Sequence, residues 1–96
     1  MRRAMEQRRT TSRQIVQQYL DRIAKYDAIL HAAITVNQRS LDEADARDRE
    51  RARGTIRGPL HGIPIALKDN IHTTSMRTTG GALAFLDLVP PYEATL

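Results

Sequence analysis

Residues 58–71 read Gly58-Pro59-Leu60-His61-Gly62-Ile63-Pro64-Ile65-Ala66-Leu67-Lys68-Asp69-Asn70-Ile71, and the rest of the chain is read outward from them. Ile63, Ile65 and Leu67 alternate with Pro64, Ala66 and Lys68, the period of an extended strand. Both faces stay apolar until Lys68, the pattern of a strand covered on two sides. Each proline fixes its own φ and biases its predecessor away from helix. Pro64 also lacks a ladder donor, which places it near the start of the strand. The stretch therefore predicts a buried strand that ends on a lysine flanked by small residues.

A lysine in that position is chemically loaded. The ordinary ammonium pKa of about 10.4 leaves almost no free base at neutral pH. Desolvation disfavours the charged form and can free a lysine to act as a general base. Composition points the same way: of fifteen basic residues only Lys25 and Lys68 are lysine, the rest being arginine, which keeps its proton in proteins. The residues alone leave a second reading open, a lysine snorkelling from a strand end or paired with Asp69.

Upstream, Thr11 and Gln14 have the spacing of a capping box. Ile15, Val16, Tyr19, Leu20 and Ile23 then form one apolar stripe, which predicts a helix from Ser12 to about Tyr26 or Ile29. Residues 31–36 are β-prone towards Val36 and predict a brief strand or extended connection ending at Asn37. His31 is read as structural. Ser40 and Glu43 suggest a second capping box, opening a charge-dense helix that ends near Gly54. Glu43 with Arg47, and Asp45 with Arg49, stand at the i,i+4 spacing of helix ion pairs. This helix is read as a solvated surface element with a thin apolar stripe of Leu41, Ala44 and Ala52. Downstream, a polar loop at 72–75 leads to Thr78-Thr79-Gly80-Gly81, which opens a short apolar helix from Ala82 to Leu86. The amides there could bind an anion or serve as a plain cap.

Composition closes several function classes. There is no cysteine, hence no thiol nucleophile and no cysteine-based metal site. His61 and His72 lack an accompanying acidic ligand pattern, so neither a metal nor another cofactor is expected. Lys68 has no Walker pattern around it. No apolar run approaches a membrane span, and Met1–Thr10 lacks the hydrophobic region of a signal peptide, so a cytoplasmic location is expected. The formal charge of +4 includes an N-terminal arginine cluster at Arg2, Arg3, Arg8, Arg9 and Arg13. Without interleaved aromatics or a recognition signature, nucleic-acid binding ranks last. Residues 1–10 are read as a basic, frayed terminus.

The segment from Gly58 to Ile71 closely resembles the one that carries the catalytic lysine in the amidase signature family. The resemblance continues through Met76-Arg77-Thr78-Thr79-Gly80-Gly81-Ala82-Leu83 and Pro90-Pro91-Tyr92-Glu93-Ala94-Thr95-Leu96, and reaches back over residues 12–27 and 31–37. It implies an α/β fold, a mixed sheet flanked by helices, of which residues 11–96 would be an incomplete N-terminal part of a single domain. It implies hydrolysis of carboxamide C–N bonds through a nucleophilic serine, a second serine with a cis peptide bond, and Lys68 as the base. The implied partner is a small-molecule amide, with the oligomeric state left open. The family's two serines lie in a Gly-Gly-Ser-Ser-Gly type segment that Ser12, Ser40 and Ser75 do not reproduce, and Gly80-Gly81 is followed by Ala82 although the family often places serine near Gly81. The expectation is a longer protein of which this chain alone is inactive. The alternatives are a non-catalytic remnant or binding module, or part of an amidotransferase A subunit, which the stretch from Pro91 to Thr95 also resembles.

Overall fold

The computed structural model describes residues 1–95. It divides into two compact units, one built from Met1–Ala32 and Gln38–Ile65, the other from Ala33–Asn37 and the chain from Ala66 onward.

The first unit is helical, with α1 spanning Arg2–Glu6, α2 spanning Ser12–Leu30 and α3 spanning Ser40–Ala52. The start of α2 forms as its sequence predicts. The Gln14 amide donates to Thr11 Oγ1 at 3.1 Å while the Thr11 amide donates to Gln14 Oε1 at 3.0 Å. Two donors of the first turn are thereby satisfied reciprocally. The helix ends at Leu30, one residue past the later of its two expected ends, and is capped by His31, whose φ of 49° is left-handed and whose amide donates to Asp27 O. Burial of Ile15 and Val16 contributes about 1.5–3 kcal/mol each; α2 packs on α3, whose one buried residue is Ala44.

The second capping box does not form. Ser40 is already inside α3, and Arg39 at the cap position makes no side-chain cap bond. Nor does α3 present a merely solvated acidic face. Asp45 and Asp48, three apart and so on one side, turn to α2: Asp45 pairs with Arg13, and Asp48 accepts the Ser12 and Arg13 amides at 2.8 and 3.0 Å. A carboxylate on first-turn amides satisfies orphan donors and opposes the positive end of the helix dipole. The N-terminal ten residues are likewise more than a frayed basic segment, because α1 buries Met5 to 2 % exposure.

Among the described residues there is no β-strand, which corrects two expectations. Residues 63–68 and 31–36 are largely irregular rather than ladder-paired. Alternation and β-branching make a segment competent to pair, but a strand needs a second extended segment to exchange hydrogen bonds. None of the described residues supplies it. The two-sided burial expected around Lys68 is absent as well, since Ile65 is 68 % exposed.

The second unit is made of loops and one 3-10 turn, Leu83–Phe85, in place of the helix expected from Ala82 to Leu86. Its buried residues are polar or ring-constrained: Thr78, Thr79 and Pro90. Hydrogen bonds set its shape, with the Thr78 amide on Leu88 O and the Ala94 amide on His72 O, both at 3.0 Å.

Candidate active site

The approach to Lys68 begins in the first unit, at a turn fixed by two neighbours in sequence. The His61 side chain is fully buried. Its Nε2 lies 2.9 Å from Arg47 O, and its Nδ1 lies 3.3 Å from the Arg57 amide. A carbonyl can only accept, so the ring carries its proton on Nε2 and receives the Arg57 N–H on Nδ1. Arg51 closes the turn by donating to His61 O at 2.9 Å. Glu50 lies beside it, bound by Arg57 and 3.4 Å from Arg47. The Arg57 hydrogen bond, against some desolvation and helped by the charges of Arg47 and Arg57, holds the Glu50 carboxyl below its ordinary range.

Gly62 then brings the chain against α2. Ser12 Oγ donates to Gly62 O at 2.6 Å. A Cβ at position 62 would sit 3.1 Å from Met5 Cε and 3.2 Å from Ser12 Cβ, on a backbone with φ +76°. Only glycine suits both the approach and the left-handed conformation.

Lys68 belongs to the second unit and opens a turn in which its carbonyl accepts the Ile71 amide at 2.9 Å. Its side chain is exposed, and among the described residues its ammonium takes part in no ion pair. Asp69, which the sequence offers as its partner, is engaged elsewhere. Asp69 Oδ1 accepts the Thr79 amide at 3.1 Å, Oδ2 accepts the Thr79 hydroxyl and the Gly81 amide, and Asp69 O accepts the Gly80 amide at 2.9 Å. The Thr79 hydroxyl also receives the Gly81 amide at 3.0 Å. The two bonds from Thr79, with lesser help from the glycine amides, hold the Asp69 carboxyl below its usual range against the opposing desolvation. Gly80 and Gly81, with φ +58° and +78°, bracket a turn closed by the Ala82 amide on Thr79 O. Positive φ at both central positions is what a type I′ turn requires. Of the amides that the sequence offered to an outside anion, those of Thr79 and Gly81 are thus taken by an internal carboxylate and those of Thr78, Gly80 and Ala82 by backbone carbonyls.

A second carboxylate fastens the loop after Lys68. Glu93 Oε1 accepts the Thr74 amide at 3.0 Å together with its hydroxyl. Those bonds, chiefly the hydroxyl's, hold the Glu93 carboxyl low. His72 stacks at a tilt on Tyr92, ring centres 5.1 Å apart.

Sequence reasoning finds Lys68 but misses Asp48, Asp69 and Glu93 as organisers. The one signal for Asp69 was its place before a Thr-Gly-Gly turn ten residues on. The serines stand in structural places: Ser12 is buried beneath Gly62, Ser40 begins α3, and Ser75 is exposed in a turn. Among the described residues none is hydrogen-bonded to Lys68, and no group of three or more His, Cys, Asp or Glu could hold a metal ion. No helix there is long and apolar enough to cross a membrane.

A family model described as Amidase matches residues 14–96. The chain is 46 % identical over 78 residues to the glutamyl-tRNA(Gln) amidotransferase A subunit of Moorella thermoacetica, covering 80 % of this chain and 16 % of that protein. It is 43 % identical over 94 residues to the "Probable amidase" of Arabidopsis thaliana, covering 95 % and 18 %. In solved structures it superposes on the native peptide amidase from Stenotrophomonas maltophilia with a TM-score of 0.87 and 46 % identity, covering 91 % of this chain and 18 % of that one. The chain therefore spans less than a fifth of the length of each of these three proteins.

Proposed function

The chain belongs to the amidase family, and from that premise we propose that it is the N-terminal part of an amidase domain hydrolysing carboxamide C–N bonds, with Lys68 as general base. The observation that carries this reading is the close superposition on peptide amidase, taken with the Gly58–Ile71 segment that delivers a single lysine into a fixed turn. Exposed apolar side chains support a larger domain. Ile29 and Leu30 in the first unit are 80 % and 67 % exposed, and Leu83 in the second is 88 % exposed. The proposed cover is the remainder of the domain, including the sheet whose strands would pair with residues 63–68.

In this reading neutral Lys68 takes a proton from the bridging serine, which takes one from the nucleophilic serine as that oxygen attacks the amide carbonyl. Backbone amides of a glycine-rich loop hold the oxyanion. The proton returns to the leaving amine as the C–N bond breaks, and water then releases the acyl group. Both serines and that loop belong to the proposed remainder, so residues 1–96 alone carry the base without its nucleophile and are inactive.

A second reading, an amidotransferase A subunit, is favoured by the 46 % identity to the Moorella protein. The mass of the native polypeptide, read with its coding sequence and an assay of the product, tests both. A long product with a Gly-Gly-Ser-Ser-Gly segment that releases ammonia from peptide or simple amides supports the hydrolase. Ammonia release from glutamine only, dependent on further subunits, supports the amidotransferase. A native product without any such serine segment overturns both.

A further inference from the structure

Two features of the Lys68 turn stand apart from the lysine's own chemistry. The carboxylate next to it in sequence accepts three hydrogen bonds, two from Thr79 and one from Gly81, and the Asp69 backbone carbonyl accepts a fourth from Gly80. Meanwhile the ammonium is left without a counter-ion among the described residues. A carboxylate paired with a lysine favours the charged ammonium and holds a base out of action. Fixing a reactive group's backbone, by contrast, preserves the alignment on which proton transfer depends.

Resting on the amidase reading above, we propose that Asp69, acting with Thr79, is a positioning residue for Lys68. Its carboxylate clamps the Thr79–Gly81 turn to the Lys68–Ile71 turn, so the lysine is presented from a backbone tied on both sides. The same bonds commit Asp69 elsewhere and leave Lys68 unpaired. Thr79 is the link: its hydroxyl donates to Asp69 and accepts from Gly81, so one oxygen ties the carboxylate to the glycine turn. Positive φ at both central positions restricts this turn to glycine and the few residues that tolerate the left-handed region.

The test uses a chimera in which this chain replaces the matching segment of the Stenotrophomonas peptide amidase, assayed on a peptide amide. Asp69→Asn and Thr79→Val should each lower kcat by about 10–100-fold with KM nearly unchanged, while Thr79→Ser, which keeps the hydroxyl, recovers most of kcat. Lys68→Ala serves as the reference. If it still turns over, the amidase reading fails. If Lys68→Ala is dead but Asp69→Asn and Thr79→Val keep the parent kcat, the positioning role alone is overturned. Failure of Thr79→Ser to recover kcat would also overturn it. Should Asp69→Asn not fold in the chimera, amide NMR of the parent chimera supplies the second readout. Thr79 and Gly81 amide resonances should move together as Asp69 protonates, and silence in both would remove the clamp and the inference with it.

Discussion

In each unit of the molecule one carboxylate accepts two backbone amides, and Asp48 and Asp69 do so under opposite circumstances. In the first, Asp48 accepts the Ser12 and Arg13 amides of a helix that also has a capping box and buries Ile15 and Val16. In the second, Asp69 accepts the Thr79 and Gly81 amides of a Gly-Gly turn that has almost no apolar burial behind it. The first carboxylate is one support among several. The second is the principal one, so losing it should cost order rather than a fraction of stability.

The sharpest way to break the first unit leaves its carboxylate alone. Gly62→Ala adds the left-handed cost of a non-glycine residue to a clash with Met5 and Ser12, together about 2–4 kcal/mol. The denaturation midpoint of the helical signal should fall accordingly, and a midpoint within error of the parent would mean that the approach of Gly62 to α2 is not tight. In the second unit, Asp69→Asn should collapse the dispersion of the Thr78–Ala82 amide resonances while those of α2 stay in place. Asp48→Ala should be milder, lowering stability by about 0.5–2 kcal/mol as other helix-start caps do, because Thr11 and the packed face remain. An Asp48 effect on α2 as complete as that of Asp69 on its turn would erase the contrast.

Acid sharpens the same comparison. A carboxyl whose folded pKa is depressed contributes its stabilisation in full above the unfolded value and loses it as pH falls through the folded one. For Asp69 the ordinary value is 3.8 and the folded one lies below it. The Thr79–Gly81 turn should therefore stay intact at neutral pH and at pH 5, then loosen below about pH 4. Chemical shifts followed from pH 7 to pH 2 read this directly, and Asp69→Asn should remove the transition. The smallest effect is expected at Arg57→Ala, which breaks an exposed pair with Glu50 while leaving His61 its contacts through backbone atoms; urea melts should barely shift.

What the sequence made legible follows from how local each interaction is. The Thr11–Gln14 box and the stripe around Ile15 are written within one helical turn, and α2 forms where they say. Lys68 stands out because its segment resembles a known one. The strand around it was misread because pairing is a property of two segments, and alternation in one cannot supply the other. Asp48 and Asp69 were invisible for a related reason: their donors lie 36 and 10 positions away, and a carboxylate in a charged run looks the same whether it faces water or a helix end. The Ser12 hydroxyl is hidden from the sequence in the same way, since the Gly62 O that it donates to lies 50 positions away.

The central claim is that Lys68 acts by losing its proton, and Lys68→Arg in the intact enzyme addresses that most directly. Arginine keeps the positive charge, the length and the surface position, but it cannot serve as a base. The account predicts that amide turnover falls at least about a thousandfold, as far as for Lys68→Ala, with the fold retained. Turnover by Lys68→Arg close to that of the parent would contradict it, because charge alone would then suffice.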